Sequence, residues 1–408
     1  MHRSILSFAL LGAAAFLPDQ VLAQASSTSA TPVRTAPVSS SSRPSGPDLV
    51  RMPMASPELF DRAARRAGQV RPRGAPGAKG DSAAGAAEAP SDGEAPQAFG
   101  SSTAPYTTAR VAVTTLGDSS TAKLTPVTSY PYRATGKIRA RFEASSGLPA
   151  GWYICTASLV KKGVLITAAH CVHNYGQGDA GFATEVEWYP SNISDPELNA
   201  QPFGVYTHRQ IRIPTVYRNG TDTCQLAGVV CNNDIATIVL NKRDGAFPGD
   251  SLGAYGYGWN GFSYVESTFL GNVFSVQITQ LGYPKAFDKG FQMQRTDAVG
   301  WYTDAGFTDL QNTQIGSAQT GGSSGGPWLV NFGTRPSVSS AASRGSANDS
   351  NIVVGVTSYG STTKGFNRQG SSYFGQNKEF PGADYDGHGA GNIGKIIRDT
   401  CTFQAAYC

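Results

Sequence analysis

Gln319-Thr320-Gly321-Gly322-Ser323-Ser324-Gly325-Gly326-Pro327-Trp328 is the stretch on which the reading of this chain turns. Glycine on both sides of a serine lets the backbone turn sharply and lets a carbonyl come close. Such a turn aims successive N–H groups at one point, the requirement of an oxyanion hole, and Gly322 and Ser324 are the candidate donors. Taken alone, the stretch also reads as a Gly/Ser loop. A segment far upstream argues against that: in Leu165-Ile166-Thr167-Ala168-Ala169-His170-Cys171 a β-like run ends on a histidine followed at once by a cysteine.

A serine nucleophile needs a base to take its proton and a buried carboxylate to hold that base in the right tautomer. His170 is the candidate base; a bridge between its flanking cysteines, Cys155 and Cys171, ties a strand to the turn that carries it. Asn233-Asp234-Ile235-Ala236-Thr237-Ile238-Val239-Leu240 offers the carboxylate, an acid placed directly before a largely apolar strand. Each residue alone has a plainer reading. A lone histidine is usually a core or surface residue, and an aspartate before a strand commonly only turns the chain.

Together, Thr167-Ala168-Ala169-His170-Cys171, Asn233-Asp234-Ile235-Ala236, Gly322-Ser323-Ser324-Gly325-Gly326-Pro327 and Gly355-Val356-Thr357-Ser358-Tyr359-Gly360 resemble the motifs of the chymotrypsin-like (trypsin-fold) serine proteases. Tyr130-Pro131-Tyr132-Arg133-Ala134-Thr135-Gly136-Lys137-Ile138 and Gln280-Leu281-Gly282-Tyr283-Pro284 resemble the bacterial-type glutamyl endopeptidase branch. The resemblance implies an all-β fold of two six-stranded antiparallel β-barrels with the active site between them and a C-terminal helix. It implies His170 as general base, Asp234 as its orienting carboxylate, Ser324 as nucleophile and the Gly322 and Ser324 amides as oxyanion hole. Ala318, Thr357, Ser358, Tyr359 and Gly360 then belong to the substrate-binding wall and primary pocket.

The departures from the family pattern carry information of their own. Ser323 stands where many members have an aspartate that pairs with a newly cut N-terminus, so that salt bridge has no acid here. Ala318 stands where trypsin-type members have an acidic pocket floor, so a preference for Arg or Lys has no evident cause. Thr357 stands where glutamate-specific members tend to have a histidine. A neutral pocket fits apolar or aromatic side chains as well as glutamate.

The composition bounds the rest. A chain of 408 residues with 48 glycines and only 15% charged residues suits a turn-rich all-β protein with a sizeable core. The net charge of +4 comes without a basic cluster interleaved with aromatics, which argues against a nucleic-acid partner. Arg3, an apolar run from Ile5 to Leu17 and the small-residue site Val21-Leu22-Ala23 predict a secretory leader over 1–23, too short to span a bilayer. Residues 24–117 are rich in Ala, Ser, Pro and Gly and predict a disordered pro-segment or stalk, with a short helix at Pro57–Arg66. The protease domain is expected over 118–408, its one convincing helix at Asn392–Thr400.

Six cysteines suit an exported protein, and their spacing suggests three neighbouring couples, Cys155–Cys171, Cys224–Cys231 and Cys401–Cys408. No cofactor or metal is expected: there is no Cys-x-x-Cys, His173 lacks further ligands, and Asp384-Tyr385-Asp386-Gly387-His388-Gly389 lacks the closing glutamate of a calcium loop. Asn192, Asn219 and Asn348 open Asn-x-Ser/Thr sequons. The expected product is a secreted, monomeric serine endopeptidase acting on protein or peptide substrates, a zymogen until the arm is removed. Two rivals remain. One is a protease-like binding protein with a decayed site. The other is an esterase-type α/β-hydrolase using Asp384 or Asp386 with His388, which requires a helix after the serine and alternating helices throughout.

Overall fold

Alternation of burial along one strand sets up the first barrel. In Thr135–Phe142, the side chains of Ile138, Ala140 and Phe142 are buried, while Arg139 is half-buried and Arg141 exposed on the other face. The computed structural model describes residues 105–111, 127–193, 201–222, 232–267, 273–302, 312–338, 342–343, 347, 349–360 and 367–408. The expected leader, the helix at Pro57–Arg66, most of the upstream arm and the couple Cys224–Cys231 lie outside these residues.

The strands in chain order are β1 (Tyr106–Arg110), β2 (Thr135–Phe142), β3 (Gly151–Lys161), β4 (Val164–Thr167), β5 (Glu185–Pro190), β6 (Tyr206–Arg212), β7 (Ala236–Leu240), β8 (Gly256–Tyr257) and β9 (Val265–Ser267). They continue as β10 (Val273–Gly282), β11 (Gln294–Tyr302), β12 (Gln314–Gly316), β13 (Pro327–Val330), β14 (Ser337–Val338), β15 (Ala342–Ser343), β16 (Ile352–Gly360) and β17 (Arg368–Tyr373). Three short α-helices complete the described residues: α1 (Thr215–Arg218), α2 (Gly249–Leu252) and α3 (Gly391–Phe403).

Strands β2-β3-β4-β7-β6-β5 close into a barrel. The second unit is a nine-stranded sheet in which β10-β11-β12-β17-β16-β13 form a second closed ring, because β10 pairs with both β11 and β13. All pairings in the two rings are antiparallel, as expected. Closure removes the exposed edges that an open sheet would offer to other chains. Phe142, Leu159, Leu165, Ile166 and Trp188 fill the first barrel, and Ile278, Ile315, Trp328, Val330 and Val354 the second. Each such side chain contributes on the order of 1.5–3 kcal/mol by leaving water.

The C-terminal helix forms where its pattern predicts and runs three residues past Thr400. Ile393, Ile396 and Ile397 are buried on one face. The Thr237 and Thr400 hydroxyls meet at 2.7 Å, which fixes α3 against β7. At the start of α3, the Asn392 amide donates to the carbonyls of Asn232 and Tyr373, so one side chain ties the helix to the loop before β7 and to β17. The disulfide Cys401–Cys408 closes the tail, and Cys155–Cys171 joins β3 to the turn after β4.

Two expectations need correction. The boundary at residue 118 is too late, because Tyr106–Arg110 pairs antiparallel with Arg295–Ala298 and Gln294 of β11 and is therefore part of the second sheet. The α/β-hydrolase rival fails on topology. Pro327 after the serine loop opens strand β13 instead of a helix, and β13 pairs antiparallel with both of its neighbours.

Candidate active site

β4 ends at Thr167, and Ala169–Cys171 form one tight 3-10 turn that carries His170 out of the first barrel. Small residues at 168 and 169 let this turn pack with no exposed surface. Asp234 lies two residues before β7, the strand that pairs with β4, so the register Thr167↔Ala236 brings the acid alongside the histidine. The carboxylate is fully buried and accepts three hydrogen bonds. The His170 backbone N–H reaches Oδ1 at 2.9 Å, and the ring Nδ1 reaches Oδ2 at 2.7 Å. The Ser358 hydroxyl donates to Oδ2 at 2.5 Å. A buried carboxylate is stable only when its acceptor sites are filled in this way. With Nδ1–H donating to Asp234, Nε2 is the ring nitrogen left to accept a proton.

The serine loop belongs to the second barrel but is held by the first. Thr156 of β3 donates its backbone N–H to the Ser324 carbonyl at 2.8 Å and its hydroxyl to the Gly322 carbonyl at 2.9 Å, while the Tyr283 N–H donates to the same hydroxyl at 3.1 Å. One side chain therefore clamps the loop across the interface between the barrels. Within the loop, the N–H groups of Ser323, Gly325 and Gly326 donate to Thr320, Thr357 and Ser323 carbonyls. Gly322 and Gly325 adopt φ of +101° and +75°, and a Cβ at Gly325 would lie 2.0 Å from Thr167 Oγ1. Both positions require glycine, for conformation and for space.

Ser323, the residue in place of an acid, is buried and its hydroxyl donates to the Thr320 carbonyl at 2.8 Å. The predicted pocket residues separate into two groups. Ala318 lies in the buried run before the loop, and Ser358, Tyr359 and Gly360 lie along β16. Thr357 faces inward. Its hydroxyl accepts from the Gln280 amide at 2.8 Å and the Trp328 indole at 2.9 Å. Gln369, opposite Gly360 on β17, donates to the Gln319 carbonyl, and Ser317 donates to Gln280 at 2.7 Å. A network of neutral side chains thus backs this wall. Sequence reading missed Thr156 and Gln369, since a lone threonine or glutamine in a strand carries no motif, and it met Gln280 and Gln319 only as the first residues of longer motifs, with no role of their own.

His173, three residues after His170, lies in the segment that follows the histidine turn. It is buried, its Nε2–H donates to the Gly178 carbonyl at 2.7 Å, and burial lowers its pKa. Cys155, His170 and Cys171 lie close enough together to suggest a metal site, but the two sulfurs are bonded to each other and offer no thiolate. The Asp384 carboxylate accepts from the Gly387 N–H in a turn before α3. Asn192 is buried with its amide donating to Phe291, so that sequon is closed to a glycan, whereas Asn219 is exposed. Behind the histidine–aspartate pair, Asn233 donates its N–H to Asp222 at 2.9 Å. Burial first, and the nearby Glu379 second, push the Asp222 carboxyl up to about 7.

Comparison with known proteins adds four findings. A Glutamyl endopeptidase from Bacillus licheniformis is 26% identical over 264 residues, covering 64% of this chain and 67% of that protein. An Extracellular metalloprotease from Bacillus subtilis (strain 168) is 28% identical over 142 residues, so the chain spans only 38% of its length. The solved structure of protease Anisep from Arthrobacter nicotinovorans is 21% identical, with a TM-score of 0.44, covering 67% of this chain and 96% of that one. The family model described as Trypsin matches residues 125–373, a span that holds the whole first barrel, the serine loop and the second ring. The chain therefore belongs to the Trypsin family, the chymotrypsin-like serine proteases.

Proposed function

We propose that this chain is a secreted serine endopeptidase that cleaves peptide bonds through an acyl-enzyme. The observation that carries the reading is the buried His170–Asp234 pair, filled out by Ser358, next to a serine loop clamped by Thr156. Ser324 Oγ attacks the scissile carbonyl while His170 Nε2 takes its proton. Asp234 holds the imidazole in the Nδ1–H tautomer and stabilises the imidazolium as it forms. The N–H groups of Gly322 and Ser324 receive the developing oxyanion. His170 then returns the proton to the leaving amine, the C–N bond breaks, and the Ser324 ester remains. A water molecule, deprotonated by His170, attacks that ester, and the acid product leaves with Ser324 Oγ reprotonated.

The residue before the scissile bond meets a wall without a formal charge at Ala318, backed by the Gln280, Gln319, Gln369 and Thr357 network. That environment suits a neutral or hydrogen-bonding side chain and offers no partner for Arg or Lys. The Glutamyl endopeptidase relative supports including glutamate among the residues to be tested. Reaction with a fluorophosphonate probe tests the mechanism. The processed protein is expected to label and Ser324→Ala to stay unlabelled; equal labelling of both would remove Ser324 from the nucleophile role. Digestion of an unbiased peptide library then reads the preferred residue.

A further inference from the structure

The sequence assigns Tyr106–Arg110 to an arm upstream of the protease unit, yet the fold uses it as a strand. β1 lies along β11 in the register Tyr106↔Ala298, Thr108↔Thr296 and Arg110↔Gln294. Its side chains alternate as an edge strand on a core should: Tyr106, Thr108 and Val111 are buried, and Thr107 and Ala109 are exposed. Its C-terminal end is fastened twice. The Val111 N–H donates to the Met293 carbonyl at 2.9 Å, and Arg110 Nε donates to Asp288 at 2.8 Å.

The buried face of β1 meets the three residues that lead into the serine loop. Thr108 Oγ1 lies 2.7 Å from Thr296 Oγ1 and accepts, at 3.4 Å, from the N–H of Ala318, the pocket-floor position. The same Thr296 hydroxyl accepts from the Gln319 amide at 3.1 Å. The Tyr106 hydroxyl accepts from the Asn367 amide at 2.7 Å, and the Asn367 carbonyl accepts from the Ser317 N–H at 3.1 Å. Ser317, Ala318 and Gln319 are thus each held by β1, directly or through one intervening residue.

We propose that β1 stays with the working protease as a brace of its primary pocket, with Thr108 and Tyr106 as positioning residues for Ser317–Gln319. The excised part of the arm accordingly ends before Tyr106, or β1 remains bound in its register after any later cut. This rests on the proteolytic reading above, and the test separates the two. Fluorophosphonate labelling of Ser324 needs the nucleophile, base and oxyanion hole, whereas cleavage of the best library peptide also needs the pocket. In the full chain after its natural processing, Thr108→Val keeps the side-chain shape and removes the hydroxyl. It is expected to raise KM about three- to tenfold, the effect of one lost hydrogen bond, with labelling rate and kcat within about twofold of wild type. Thr108→Ser is expected to restore KM. Intact mass and peptide mapping of the active species are expected to find residues 106–110 present.

A KM unchanged in Thr108→Val with normal labelling would overturn the brace, as would a fully active species lacking 106–110. Loss of labelling, kcat and melting temperature together would reduce Thr108 to a general stability role and overturn it too. A wild-type protein that fails to label would remove the proteolytic reading itself and the brace with it.

Discussion

Replacing Asp234 with asparagine isolates the part of the site that holds the imidazole. The carboxylate accepts from three donors, His170 N–H at Oδ1 and both His170 Nδ1–H and the Ser358 hydroxyl at Oδ2. An asparagine has one acceptor oxygen and one donor amide in their place. If its oxygen takes the Oδ2 position, the amide faces the His170 N–H, two donors about 2.9 Å apart. If the oxygen takes the Oδ1 position, that backbone bond survives and the amide faces Nδ1. Nδ1 must then lose its proton and accept, and Ser358 must turn its hydroxyl to accept as well. The second arrangement keeps every hydrogen bond and is the one expected. It moves the ring proton to Nε2, where a base must be vacant, so kcat is expected to fall about 10⁴-fold, equivalent to about 5.4 kcal/mol of transition-state stabilisation. Because the asparagine is satisfied, unfolding free energy is expected to change by less than about 2 kcal/mol. Steady-state kinetics on one peptide, with urea unfolding alongside, give both quantities. A variant retaining more than about a tenth of the activity would refute the tautomer argument, as would a loss of activity that merely follows unfolding.

Two further outcomes follow from the clamp and from the acid behind the pair. Gly325→Ala places a Cβ 2.0 Å from Thr167 Oγ1 and 2.4 Å from the Thr156 carbonyl at φ +75°, so a loss of at least about 2–4 kcal/mol is expected in denaturant titration; a loss under about 1 kcal/mol would mean that the loop and Thr156 move apart easily. The Asp222 carboxyl stands at about 7 in the fold against an ordinary 3.8, so the folded state takes up its proton more readily than the unfolded one. The stability this confers is complete below the ordinary value and is lost as the pH rises through about 7, and Asp222→Asn is expected to flatten that decline in melting temperature between about pH 4 and 8. Equal pH slopes for the two proteins would show that another group titrates.

The sequence legibility of this protein follows the distinction between local signals and packing. β3, β4, β7 and β16 could be read because Val, Ile and aromatic residues concentrate in runs bounded by turn residues. β17, Arg-Gln-Gly-Ser-Ser-Tyr, escaped because its buried Gln369, Ser371 and Ser372 are polar and find partners at Gln280, Thr313 and Asn232 only in the fold, and β12, Gln-Ile-Gly, is too short to carry a pattern. β1 escaped for a related reason. Tyr-Thr-Thr-Ala-Arg sits in a stretch whose composition predicts disorder, and only a partner strand more than a hundred residues away offers it a register.

By itself the sequence determined the class of fold and the cysteine couples 155–171 and 401–408, and it supplied His170, Asp234 and Ser324 as the proposed triad, because each rests on residue identity at short range. The tertiary structure alone decided what supports them. Thr156 reaches the serine loop from the other barrel, Ser358 completes the Asp234 shell from 124 positions away, and Thr108 meets Ala318 across 210. A hydrogen bond between residues that distant leaves no periodicity, spacing or composition in the chain; it exists only once both barrels have closed and set the register that brings the two side chains together.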